Sequence, residues 1–222
     1  MARRTRPTKI LPDRPELPAR FDRAPAAAEP GALWDGVEAG PNTVFPAELP
    51  DLDLRECRFA GADLSGRTLT GFTCRDTEFV HCDLSGAMLD SATLRRVTLT
   101  DCRLTGTVLS GAALNDVRIT ACRADLVNLR MARAGFLLVE QSMLRGADLY
   151  AMTAADSALL DCDLTGSTVT EARLTGMRLH GSTVDDLHGV ASLRGARIGA
   201  DQLVTLGAAL LAAHEIAVTE RA

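Results

Sequence analysis

The chain has 222 residues, 46% hydrophobic and 24% charged, with a formal net charge of −5 at neutral pH. That length allows one ordinary domain with a tail or two small ones, and the balance is globular, neither disordered nor collagen-like. No run approaches the ~20 apolar residues of a membrane span, no apolar segment follows the basic start Met1–Lys9 as a secretory leader requires, and mild acidity argues against a general nucleic-acid binder.

All nine prolines fall within residues 1–50. Residues 1–48 show no sustained apolar period, and proline blocks ladders and helix interiors, so this segment is expected to be an extended or disordered arm. Arg3, Arg4, Arg6 and Lys9 form a basic cluster without an acid, read as a solvated tail. Trp34 and Phe45 are the arm residues expected to dock, because an exposed Trp wastes a large apolar surface.

From residue 49 the pattern changes. Stepping by five from Leu54 to Val184 gives 27 positions, of which 23 are Leu, Ile, Val or Phe; the exceptions are Cys74, Ala124, Ala134 and Ala154. Positions two residues earlier are mostly small. A period of five fits neither a helix nor a continuous strand, but two inward positions two residues apart fit a very short strand followed by a corner. Gly61, Gly66, Gly71, Gly86 and Gly106 are among the glycines at the corner position, where unusual backbone angles are needed. Such units bury nothing alone and must stack.

The units Ala62-Asp63-Leu64-Ser65-Gly66, Cys82-Asp83-Leu84-Ser85-Gly86, Ala147-Asp148-Leu149-Tyr150-Ala151 and Cys162-Asp163-Leu164-Thr165-Gly166 resemble pentapeptide repeats. The resemblance covers about residues 51–198 and implies an all-β fold: a right-handed quadrilateral β-helix with four units per coil. Cys82, Cys102, Cys122 and Cys162 differ by 20 or 40 residues and therefore share one inner column, in agreement with four. The expected division is an arm over 1–48, a solenoid of about seven coils over 49–198 and a C-terminal capping or dimerisation helix with its tail over 199–222.

Six cysteines occupy inward positions without C-x-x-C or Cys/His zinc spacing, so core packing is expected, with no metal and no cofactor. Unpaired thiols in this number point to a reducing cytosol. His81, His180, His188 and His214 share no ligand spacing, and neither a nucleophile elbow nor a phosphate loop is present; the chain is not expected to be an enzyme. Arg67 is the single charged residue at a small-residue inward position and is assigned no role.

Outward columns offer candidate partner surfaces. Glu56, Asp76, Arg96, Asp116, Phe136 and Asp156 differ by 20 and line one edge, a ladder of four acids flanked by Arg55, Arg75 and Arg95. Asp63, Asp83 and Asp163 form a second outward set, interrupted by Arg103 and Arg123. Two readings stand: a mixed soluble surface, or a stripe that enters a basic DNA-binding groove. Leu126, Met131 and Phe136 fill corners that are elsewhere Gly or polar, near Leu137 and Leu138. They either turn inward to replace the small centres Ala124 and Ala134 or form an exposed apolar patch for a protein partner.

After Val184 the register shifts, and from Asp201, a candidate N-cap, Leu203, Leu206, Leu210 and Ile216 follow helical spacing. The helix is apolar nearly all round, so it caps the open coil end alone or also pairs with a second copy as a homodimer. Leu193 to Val218 resembles the C-terminal cap of actinobacterial members of the family, including dimeric gyrase binders. That resemblance implies a non-catalytic, cytoplasmic DNA mimic that binds DNA gyrase or a related topoisomerase and confers resistance to a topoisomerase poison, with no direct nucleic-acid or membrane contact.

Overall fold

Why the chain coils follows from its corners. The computed structural model describes residues 11–219, so the basic cluster Arg3–Lys9 lies outside the described residues. Among those described, left-handed backbone recurs at the last position of the five-residue unit: Glu56, Asp76, Arg96, Asp116, Phe136 and Asp156 have φ between 50° and 58°. A left-handed residue every fifth position turns the chain sharply and splays its Cβ outward; glycine takes it without strain, and Asp better than most other residues.

Between corners the chain forms short strands: β1 (Asp22–Arg23), β2 (Leu33–Asp35), β3 (Val37–Ala39), β4 (Asp53–Arg55), β5 (Arg58–Ala60), β6 (Thr73–Val80), β7 (Thr93–Thr100), β8 (Ala113–Thr120), β9 (Arg133–Gly135), β10 (Leu138–Glu140), β11 (Thr153–Ala155) and β12 (Ala158–Leu160). All pairings are parallel, and successive coils stand twenty residues apart: Leu54 opposite Cys74, Cys74 opposite Leu94, Leu94 opposite Leu114. Strands β6, β7 and β8 each run through a corner, so their ladders continue over two faces. The result is a parallel β-solenoid whose core is one continuous column of face-centre and small inward residues, Leu54, Leu64, Leu69, Cys82, Ala92 and Leu149 among them.

The solenoid begins earlier than expected. Residues 22–48 already belong to the stack: Asp22 pairs with Val37, Trp34 with Leu54 and Ala39 with Phe59, while residues 11–20 form no strand. Trp34 and Phe45 are both buried, and the Trp34 ring stacks on Phe59 at 6.0 Å. The first turn is shorter. Asp22 pairs with Val37, fifteen residues on, and Ala27 with Val44, seventeen on. Proline hid this coil from a reading by composition. The five-residue step also slips by one at Phe45, which is buried while Val44 is exposed.

All six cysteines are free and buried. Cys82, Cys102, Cys122 and Cys162 do stack in one column, each thiol directed at the carbonyl oxygen 23 residues back, from Phe59 to Val139. Burial pushes the Cys162 thiol up to about 11, so it stays protonated and inert at neutral pH.

The C-terminal end differs from expectation in detail. Two 3-10 turns, Val190–Leu193 and Ala200–Gln202, lead into α1 (Leu203–Ala213). Asp201 is not the N-cap; it sits inside the second turn, and the α1 cap position is Gln202. Of the four expected cap residues only Leu206 is buried against the core, whereas Leu203, Leu210 and Ile216 are exposed. The helix touches the coil end along one narrow line, so most of its apolar surface faces away.

Candidate partner-binding surfaces

The expected acidic edge is the corner through which β6, β7 and β8 pass, and the structure changes its meaning. Asp76 is buried to 2% exposure. The Arg96 guanidinium, one coil above, donates to both its carboxylate oxygens, and Arg75 lies 3.5 Å away. Arg96, which interrupts the ladder in sequence, is the ion-pair partner of Asp76. A strap formed by Leu11–Arg20 runs along the same edge: the Glu16 backbone N–H donates to Asp76 Oδ1 at 3.1 Å, and the Asp13 N–H to Asp116 Oδ1 at 3.0 Å. Upstream, the Arg58 guanidinium sits over the Phe21 ring at 5.1 Å. Glu56, Asp116 and Phe136 are half-buried; of the candidate acids on this edge only Asp156 is exposed. The column was correctly placed by its spacing, but it is not an open stripe.

Burial raises the Asp76 pKa, but the Arg96 side chain, the Glu16 N–H and Arg75 together outweigh it and hold the carboxyl below its usual value. A carboxyl depressed on folding stabilises the protein fully above its unfolded pKa of ~3.9, and that contribution is lost as pH falls through the lower folded value. Denaturant stability followed from pH 6 to pH 2 should therefore fall with a shallower slope in Asp76→Asn than in wild type. Equal slopes would reject the role of Asp76 in acid unfolding.

The second acidic set lies on a different face, away from the strap. Asp63 and Asp83 occupy adjacent rungs, as do Asp83 and Arg103, and Asp163 stands further along the same column. Asp63 accepts from both the Ser65 hydroxyl and the Ser65 N–H, which hold it below the usual carboxylate range. Asp163 accepts from the Thr165 hydroxyl and N–H and pairs with Arg145 at 2.6 Å; these outweigh its burial and lower its pKa too. Arg103 approaches Asp83 at 3.6 Å with its side chain 73% exposed. Solvent-exposed pairs of this kind contribute at most ~1 kcal/mol, so a partner's cation can replace them.

The apolar corners are exposed rather than turned inward: Leu126 is 64% and Met131 53% exposed. Their left-handed φ of 58° and 56° fixes the Cβ outward, so neither can reach the space beside Ala124 without undoing its corner. Val127, Leu137 and Leu144 fill that space instead, leaving a cavity of about 20 Å³. Leu138, outward by register, is nevertheless buried to 1%.

One residue that the sequence reading missed closes the last coil. The Gln202 amide donates to the carbonyls of Leu179 (2.7 Å) and Ser182, and its oxygen accepts from the Gly199 N–H. Gln202 continues the column of Cys162 and Ser182, and the twenty-residue step was the signal for it. Among the described residues no group of three or more His, Cys, Asp or Glu could hold a metal ion, and no helix is long and apolar enough to cross a membrane.

Residues 52–129 match the family model described as a pentapeptide repeat region. Among curated proteins none matches the chain. Among solved structures, a trypsin-treated form of QnrB1, a plasmid-mediated fluoroquinolone resistance protein, is 18% identical over 87% of this chain and 99% of that one, with a TM-score of 0.35. HetL, a pentapeptide repeat protein involved in heterocyst differentiation regulation in the cyanobacterium Nostoc, is 19% identical over 79% of this chain and 89% of that one, with a TM-score of 0.25.

Proposed function

Because this chain is a pentapeptide-repeat protein, we propose that it is a non-catalytic binding scaffold whose partner is a protein with a basic, DNA-binding groove, specifically DNA gyrase or a related topoisomerase. The observation that carries the reading is the face bearing Asp63, Asp83 and Asp163. Asp63 and Asp163 are held ionised by local hydrogen bonds, and all three project from a rigid ladder with a rung of ~4.8 Å. Asp63 and Asp83 stand on adjacent rungs at one end of the column and Asp163 at the other, with Arg103, Arg123 and Met143 between; carboxylates fixed in this way present negative charge without the entropy cost of ordering flexible side chains and steer a basic groove towards them. The edge at Glu56, Asp76, Asp116 and Asp156 is the subordinate surface, since the strap lies on it.

The test is inhibition of gyrase supercoiling, or protection from a fluoroquinolone, by micromolar protein. Wild type should act, and its effect should fade between ~10 mM and ~0.15 M salt as the Debye length shrinks from ~30 to ~8 Å. Asp63→Arg with Asp83→Arg and Asp163→Arg should abolish the effect, while Asp156→Arg should reduce it only slightly. No action of the wild-type protein at any salt rules the partner out.

A second reading is favoured by the exposed Leu126 and Met131 with half-buried Phe136 on three successive corners. Every corner is left-handed, but these carry large apolar side chains into solvent, and a contiguous exposed apolar patch marks an interaction surface. This surface would bind an unrelated protein through apolar contact, resistant to salt. Self-association through α1 belongs to either reading, supported by Val204 at 82% and Leu203 at 63% exposure. Wild type should sediment as a dimer and Leu203→Glu with Val204→Glu as a monomer; a wild-type monomer at tens of micromolar rejects it.

A further inference from the structure

Pro12, Pro15 and Pro18 recur at every third residue of the strap Leu11–Arg20. Pro12 is buried and Pro15 and Pro18 are half-buried, whereas Asp13, Arg14, Glu16 and Arg20 are exposed. A spacing of three is that of a polyproline II helix, whose three-residue turn advances ~9.3 Å. Two coils of the solenoid advance ~9.6 Å. The two repeats therefore match, three strap residues for forty solenoid residues, and the contacts fall in step. Asp13 and Glu16, three apart and each following a proline, donate their backbone N–H groups to Asp116 and Asp76, forty apart. Arg96, on the coil between the two acceptors, is ion-paired with Asp76.

We propose that this edge is a docking track for an extended proline-rich segment, that Leu11–Arg20 is its resident occupant, and that the strap covers Asp116 and the Arg96-paired Asp76 against other cation-bearing chains until it is released. Three observations converge on it. The track supplies acceptors at the pitch of the ligand. The ligand presents its prolines inward and its charged side chains outward. Between Leu11 and Arg20 no residue belongs to a strand, so the strap can leave without breaking a coil. The inference goes beyond the proposed function, and its test needs no gyrase, only this protein, a nine-arginine peptide and a peptide of residues 11–20; failure with gyrase would leave it standing.

In the full chain, hydrogen exchange at the Asp13 and Glu16 amides should be at least tenfold slower than in a synthetic peptide of residues 11–20. Free-chain rates would overturn the proposal. Asp13→Pro with Glu16→Pro removes both donors while keeping an extended chain. Binding of the nine-arginine peptide, read by fluorescence anisotropy at low salt, should tighten about tenfold or more in this variant. The variant also loses two negative charges, so nonspecific attraction predicts weaker binding; unchanged or weaker binding rejects occlusion. Adding Asp76→Asn and Asp116→Asn should remove the gain, as should the synthetic strap peptide supplied in trans. A second release variant, Pro12→Gly with Pro15→Gly and Pro18→Gly, keeps the donors but loses the stiffness, and it must shift binding in the same direction.

Discussion

Replacing Phe59 with Ala should destabilise the N-terminal coils by about 3–5 kcal/mol, the range for a fully buried Phe. Phe59 has no exposed surface and is the hub of four aromatic rings: it lies 6.0 Å from Trp34, 6.1 Å from Phe45 and 4.8 Å from Phe79. Half of the chain's eight aromatic residues are thus spent at one end of the rod. In a solenoid each coil rests on its neighbours alone, so damage at an end stays local until it propagates. Trp34, the sole tryptophan, reports that end. In Phe59→Ala the tryptophan emission should shift at a lower denaturant concentration than the far-ultraviolet circular dichroism, while in wild type the two transitions should coincide. Coincident transitions in the variant, or a loss below ~1 kcal/mol, would mean that the cluster does not hold the end.

Gln202→Ala is expected to cost about 2–4 kcal/mol at the opposite end. Its amide serves two carbonyls, of Leu179 and Ser182, and the Gly199 N–H, all at a coil edge that no further coil covers. Each buried group left without a partner costs ~1–3 kcal/mol. Hydrogen exchange across residues 196–206 should accelerate before the central coils are affected. Gln202→Glu should be worse than Ala at pH 7, because a carboxylate faces two carbonyl oxygens and has no proton to donate. Its pKa is expected to rise for that reason, and the excess cost should shrink as the pH falls through that raised value and the carboxylic acid regains a donor. A Gln202→Glu protein as stable as Gln202→Ala at pH 7 would argue that the amide does not donate there.

How far the sequence could be read depends on the range of the contact involved. The five-residue step of Leu64, Leu69 and Leu84 is local and repeated, so one coil predicts the next; the cysteine column then gives the number of sides. The same arithmetic placed Asp76 and Asp116 on one edge. It could not reveal whether those carboxylates were free, because that depends on Glu16 and Asp13, 60 and 103 residues away. The strap does carry a signal in the three-residue spacing of Pro12, Pro15 and Pro18, but proline as a ladder breaker masks proline as a stiffener of extended chain. In a row of charges Arg96 looks like a gap, but in a stack of rungs an opposite charge in a column is the nearest partner available, as it is for Asp76. For Leu126 and Met131 the sequence leaves two outcomes open, filling the space near Ala124 or facing solvent, and the backbone of the corner, which the sequence pattern does not display, decides for solvent.

The spacing of the stack also constrains how such a chain can change length. Removing or adding twenty residues takes out or inserts a whole storey, and every outer column above and below stays aligned. Removing five leaves each face-centre residue inward and the core intact, yet it rotates everything downstream by one side. Asp163 would then stand over a different wall from Asp63, and the track beneath the strap would be cut between Asp76 and Asp116. Small insertions and deletions in the middle of the rod are therefore tolerated by folding and punished by surface function. They are cheap only at a terminus, and the shortened turn from Asp22 to Val37 lies at one.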